Sequence, residues 1–187
     1  DNTKRWFVKI PAVCENSENL EWDTTNGKQD SGNGIETMDS STITLGIDTG
    51  NVNSTNESSK TYVCYAFKNI KGYSKIGRYT GNGNSDGTFV YTGFKPAFVI
   101  AKRTDGNGND WRIADNKRDP INVVDGRIKI NSSDAEDSSD QFDFLSNGFK
   151  LRTTAGDLNG TSGHIFIYIA FAEHPFVSSK GVPVTAR

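Results

Sequence analysis

Hydrophobic and aromatic positions along the chain gather in short runs, separated by long stretches rich in Asn, Asp, Ser, Thr and Gly. The runs at 42–47, 62–67, 149–153 and 165–171 carry β-branched and aromatic residues and have strand-like lengths. The stretch 88–103 is longer and is interrupted between Gly93 and Pro96, so it predicts two strands with a break there. Turn dipeptides such as Asn26-Gly27, Asp105-Gly106 and Asn147-Gly148 fall between the runs, where hairpins need them. No window has a convincing helical period. A single helical turn is expected at 133–136, where Ser133 and Glu136 have capping-box spacing. The chain is therefore expected to be all-β, of sandwich or jelly-roll type.

The chain also resembles itself. The runs 62–67 and 165–171 both end in Ala-Phe; Phe67 and Phe171 are separated by 104 positions, Trp6 and Trp111 by 105. Matching offsets predict two related β-sandwich or jelly-roll-like units in tandem, residues 1–80 and 81–187, meeting near 81–87. Trp6 and Trp111 are then expected as equivalent core rings, and Phe67 and Phe171 as equivalent buried ones. The second unit has the strands of 88–103 ahead of its tryptophan, whereas only a few residues precede Trp6. The opening strands of the first unit are thus expected outside this chain, which starts at Asp1 and reads as cut from something longer. Either they belong to a removed N-terminal region, or another strand fills the open edge in the assembled protein.

Composition narrows the partners. The 187 residues include 21 Lys and Arg against 23 Asp and Glu, a formal charge of −2, with 34% hydrophobic and 11% aromatic residues. A mean hydropathy of −0.60 taken alone suggests disorder, but recurring rings give the short strands something to bury. Scattered cations and a pI near 5.7 argue against nucleic-acid or anionic-membrane partners. The longest apolar run, 165–172, is far short of the roughly 18 residues a membrane helix needs. Cys14 and Cys64 lack metal-ligand spacing and are expected to be buried free thiols.

Catalytic carriers are not visible in the sequence. His164 and His174 have no Cys or second His at ligand spacing, so structural or solvated roles are expected, with no metal and no cofactor. Asp140 and Asp143, three apart, do not supply the alternating carboxylates of a β-sandwich glycosidase. The loops containing Asn82, Asn84 and Asp86, and Asp105, Asn107 and Asn109, resemble calcium loops. The first has Gly93 where a closing Glu is needed, and both read as Asx/Gly hairpin turns. Glycan-acceptor patterns at Asn53, Asn56, Asn131 and Asn159 follow from composition. What remains is a polar surface dotted with rings, a combination suited to sugars. The candidate ligand-binding residues are Trp22, Tyr79, Asn84, Asp86, Tyr91, Asp105, Asn107 and Asn109.

The string 72–87, its continuation through 89–99, and the strings 131–133, 145–151 and 167–176 with a terminal Ala186-Arg187 resemble a family of tail-fibre and structural proteins of tailed phages of marine bacteria. The likeness is strong over the last two thirds and looser before. It implies a lectin-like β-sandwich at the C-terminal end of a virion protein, with no catalytic motif to carry over. The expected function is non-enzymatic: a virion component, part of a tail fibre or related appendage, touching a bacterial surface glycan or receptor. The alternative is a purely structural virion subunit, a capsid decoration or filament-forming protein. Expected partners are that glycan, other virion proteins and further copies of the chain, a trimer being favoured, with residues 1–10 or 177–187 crossing between subunits.

Overall fold

The computed structural model describes residues 5–47, 54–138 and 142–175. Among them there is no helix. The strands are β1 (Phe7–Val8), β2 (Glu18–Glu21), β3 (Gln29–Asp30), β4 (Ile35–Met38), β5 (Ile43–Leu45), β6 (Ser74–Thr80), β7 (Phe89–Tyr91), β8 (Pro96–Arg103), β9 (Arg112–Asp115), β10 (Ile128–Lys129), β11 (Phe142–Leu145), β12 (Gly148–Leu151) and β13 (Ile165–Ala172). The protein is all-β, as its pattern predicts. The stretch 88–103 gives β7 and β8, and the runs at 149–153 and 165–171 give β12 and β13. At 133–136 there is no helical turn; ion pairs from Asp134 to Lys129 and from Glu136 to Arg118 hold that segment instead.

A five-stranded antiparallel sheet, in the order β10-β9-β8-β13-β6, forms the middle of the molecule. Its register sets Phe166 opposite Arg103, Tyr168 opposite Ala101 and Ala170 opposite Val99. Alternation then sends the two halves of β13 to opposite faces. Phe166, Tyr168 and Ala170 join Val99, Ala101 and Ala114 in a cluster with Val90, Phe142, Phe144, Phe149 and Leu151 from the three-stranded sheet β11-β12-β7. Ile167 and Ile169, with half-buried Ile165 and Phe171, meet Ile10, Val13, Cys14, Leu20 and Trp111 on the other side. Leu20 belongs to the sheet β1-β2-β3. Covering both faces explains why β13 reads as a nearly unbroken apolar run, a signature usual in parallel sheets. Each fully buried Phe or Ile contributes about 1.5–3 kcal/mol.

The tandem equivalence does not appear. Trp111 is fully buried with its Nε1 donating to Glu21 O at 2.9 Å, whereas Trp6 is 57% exposed. Residues 62–67 form no strand, and Phe67 is 59% exposed with its ring 5.8 Å from that of its expected counterpart Phe171. The physical reason is pairing: β13 has β8 and β6 on its two sides, while 62–67 has no ladder partner among the described residues. In addition β6, on one side of the expected boundary, pairs over seven residues with β13 on the other. Phe171 itself is half-buried, packed by the rings of Phe67, Tyr73 and Phe98. Cys14 is buried as expected, but Cys64 is exposed.

Candidate functional site

Three strand ends meet at one end of the central sheet. Thr80 at the end of β6 faces Ile165 at the start of β13, and Arg103 at the end of β8 faces Phe166. The loops 81–87, 104–109 and 155–164 therefore crowd together. Gly83 N donates to Asn159 O at 3.0 Å, Gly163 N to Gly81 O at 3.1 Å and Thr104 N to Ile165 O at 2.9 Å. Five of the eight candidate residues, Asn84, Asp86, Asp105, Asn107 and Asn109, sit on these loops.

The loop 104–109 is stitched to residues 25–28. Asn107 Oδ1 accepts from Gly27 N at 2.9 Å, Lys28 N donates to Thr104 O at 2.8 Å, and Asn109 N donates to Thr25 O at 3.1 Å. Asn109 is buried and its Nδ2 donates to Gly106 O and Asn107 O, bracing the turn from inside. Only glycine fits at position 27, because an added Cβ would lie 2.7 Å from Thr104 O. An open recess of about 260 Å³ results, lined by Gly27, Lys28, Thr104, Asp105, Gly106 and Asn107.

Charge in the recess is tightly committed. Asp105 Oδ1 accepts from Arg103 Nε at 2.8 Å, while its Oδ2 accepts from Ile165 N at 3.2 Å and lies 3.1 Å from His164 Nδ1. Partial burial pushes the Asp105 carboxyl up, but these bonds outweigh it and hold the group below the usual carboxylate range. Lys28 pairs with Glu18 at 2.9 Å. Beneath the loop, Lys102 is fully buried and donates to Asn109 O at 2.8 Å and Thr25 O at 3.2 Å; burial pulls its pKa down to about 8. Buried Arg112 anchors the neighbouring loop by donating to Asp157 Oδ2. Fixed donors and acceptors of this kind suit a neutral polyhydroxy ligand better than proton transfer.

The turn at 82–86 closes on itself. Asn82 Oδ1 accepts from Asn84 N, Asn84 Oδ1 accepts from Asp86 N, and Asp86 pairs with Lys150 at 2.5 Å. The amide oxygens thus face main-chain N–H groups, as Asx turns require. Among the described residues no cluster of three or more His, Cys, Asp or Glu side chains is arranged to hold a metal ion.

The other candidates lie elsewhere. Tyr79 is buried in the core, stacked on Phe166 with its OH donating to Leu158 O at 2.8 Å, so it is no surface ring. Trp22 is half-buried against Trp111, ring centroids 4.5 Å apart. Tyr91 is exposed on β7. Asp143 lies 3.4 Å from Arg152 Nε, and Asp140 falls outside the described residues. Sequence reasoning missed Asn159, which it read as a compositional glycan pattern. Asn159 is fully buried, and its Nδ2 donates to Asn82 Oδ1, Asn84 O and Thr153 O. Lys102 was also missed, because it follows the apolar run 97–101 and stands beside Arg103, where a pair of cations reads as the end of a strand.

The sequence profile of a domain of unknown function, DUF7483, matches residues 1–175. No curated protein and no solved structure matches the chain.

Proposed function

We infer that this chain, which belongs to the DUF7483 domain family, is a non-catalytic binding module of a virion appendage whose ligand is a bacterial surface glycan. The observation that carries this reading is the gathering of Asp105 and Asn107, with Gly27 and Lys28, around one polar recess at a sheet end that buried Asn109 braces from inside. The Asn107 amide, exposed at the recess, offers hydroxyl-sized partners, and the bracing keeps the ordering entropy of binding low. Both Asp105 oxygens are already engaged, which supports recognition over turnover. The strings resembling marine phage fibre proteins supply the virion setting, and with it other virion proteins and further copies of the chain, a trimer, as partners.

Thermal unfolding with a panel of capsular and lipopolysaccharide glycans tests the reading. A saturable rise in Tm with one glycan, reduced at least about tenfold in affinity by Asn107→Ala, is expected. No saturable shift with any glycan, or release of reducing ends from one, overturns it. A structural virion subunit is a second reading, favoured by the exposed apolar residues of 62–67. Co-sedimentation with assembled capsids that is indifferent to added glycan selects it.

A further inference from the structure

Residues 61–69 are all exposed, run without ladder pairing, and among them no main-chain N–H or C=O bonds to another main-chain group. Val63, Tyr65 and Phe67 are 69%, 70% and 59% exposed. A segment of strand composition left this way presents a template for an added strand. Charge identifies the partner. Residues 58–85 contain Lys60, Lys68, Lys71, Lys75 and Arg78 and no Asp or Glu. None of the five cations forms an ion pair with a described residue.

The preceding stretch is its mirror. Residues 29–57 contain Asp30, Glu36, Asp39, Asp48 and Glu57 and no Lys or Arg. Within it β4 and β5 make an isolated two-stranded sheet, and β5 has no second neighbour among the described residues. Ile43, Leu45 and Ile47 alternate along that edge, all exposed. One region thus offers an acidic, apolar strand edge and the other a basic, apolar strand without a partner. Pairing 62–67 with itself is disfavoured, since Lys60 and Lys68 flank both ends and an antiparallel pair would bring like charges together.

We infer that the segment 62–67 of one copy receives the β4–β5 hairpin of a second copy by strand addition, with the acid-free strip of one against the base-free stretch of the next. The contact is head-to-tail, so it closes into a ring or propagates as a filament. It stands independently of the glycan reading.

Analytical ultracentrifugation of the full chain, with charge reversal on each side, tests this. The wild type is expected to associate at low salt, its dissociation constant weakening by about tenfold or more between roughly 50 and 500 mM salt. Lys60→Glu/Lys68→Glu/Lys71→Glu and Asp30→Lys/Glu36→Lys are each expected to sediment as monomers alone and to associate when mixed, a rescue that misfolded variants cannot give. Hydrogen exchange should show amides of 61–67 and 43–47 gaining protection together as concentration rises. A monomer at every concentration overturns the inference. So does association that survives in either variant alone, or protection of 61–67 that is independent of concentration.

Discussion

Two segments of nearly the same character, 62–67 and β13, meet opposite fates. Both are short and rich in aromatic residues, and both contain an Ala-Phe pair at or near the end, Ala66-Phe67 and Ala170-Phe171. β13 lies between β8 and β6 with a core on each face; 62–67 stands exposed, with the ring of Phe67 against that of Phe171. Strand propensity is therefore a readiness to pair, and neighbours decide whether it is used. A half-buried ring at the junction, Phe171, measures the gradation between the two.

The comparison can be broken at its strongest point first. Phe166→Ala, in the fully buried half of β13, is expected to cost about 3–5 kcal/mol of unfolding free energy in denaturant melts. Phe171→Ala, at a half-buried position, should cost about 2 kcal/mol, less than a core ring. Phe67→Ala should change stability by less than about 1 kcal/mol, and a loss equal to that of Phe166→Ala would mean the segment belongs to the core after all.

The two cysteines sharpen the contrast without touching stability. Cys14 packs in the cluster beneath β13, and burial pushes its thiol pKa up, whereas Cys64 sits exposed in the unpaired segment. Native-state labelling with a thiol reagent should modify Cys64 at least about a hundredfold faster than Cys14. Equal rates would remove the distinction.

The smallest effect is a pH slope. Burial lowers the pKa of Lys102, next to β13, to about 8 from an ordinary 10.5. Between those values the unfolded chain holds a proton that the folded chain has released, so stability rises as pH increases above about 8. Cys14, raised above its ordinary 9.0, pulls the other way at higher pH, so the window from about 8 to 9 reads Lys102. Lys102→Met should flatten the slope of the denaturant midpoint across that window.

The sequence patterns that carried their own answer were local ones. The break between Gly93 and Pro96 separated β7 from β8, and the Asn82, Asn84 and Asp86 spacing announced an Asx turn because its hydrogen bonds close within five residues. The repeat failed because equal offsets compare strings and contain nothing about which strands lie beside them. Tyr79 looked like a surface ring only because its stacking partner Phe166 is 87 positions away. Of the site, Asp105, Asn107 and Asn109 were legible from spacing, but Gly27 joins them only through contacts across the fold. The charge separation between 29–57 and 58–85 forms no dense cluster of cations; its signature is the absence of the opposite sign in each stretch.

The insertion of β13 between β6 and β8 also sets an order of events during synthesis. β6 emerges about 90 residues before the strand that completes its ladder. At translation rates of about 5–20 residues per second the gap lasts roughly 5–20 s, and for all of it the central sheet has an empty slot. The ladders of β6 and β8 with Ile165–Ala172 are sequence-distant pairings that cannot form until that strand has been made.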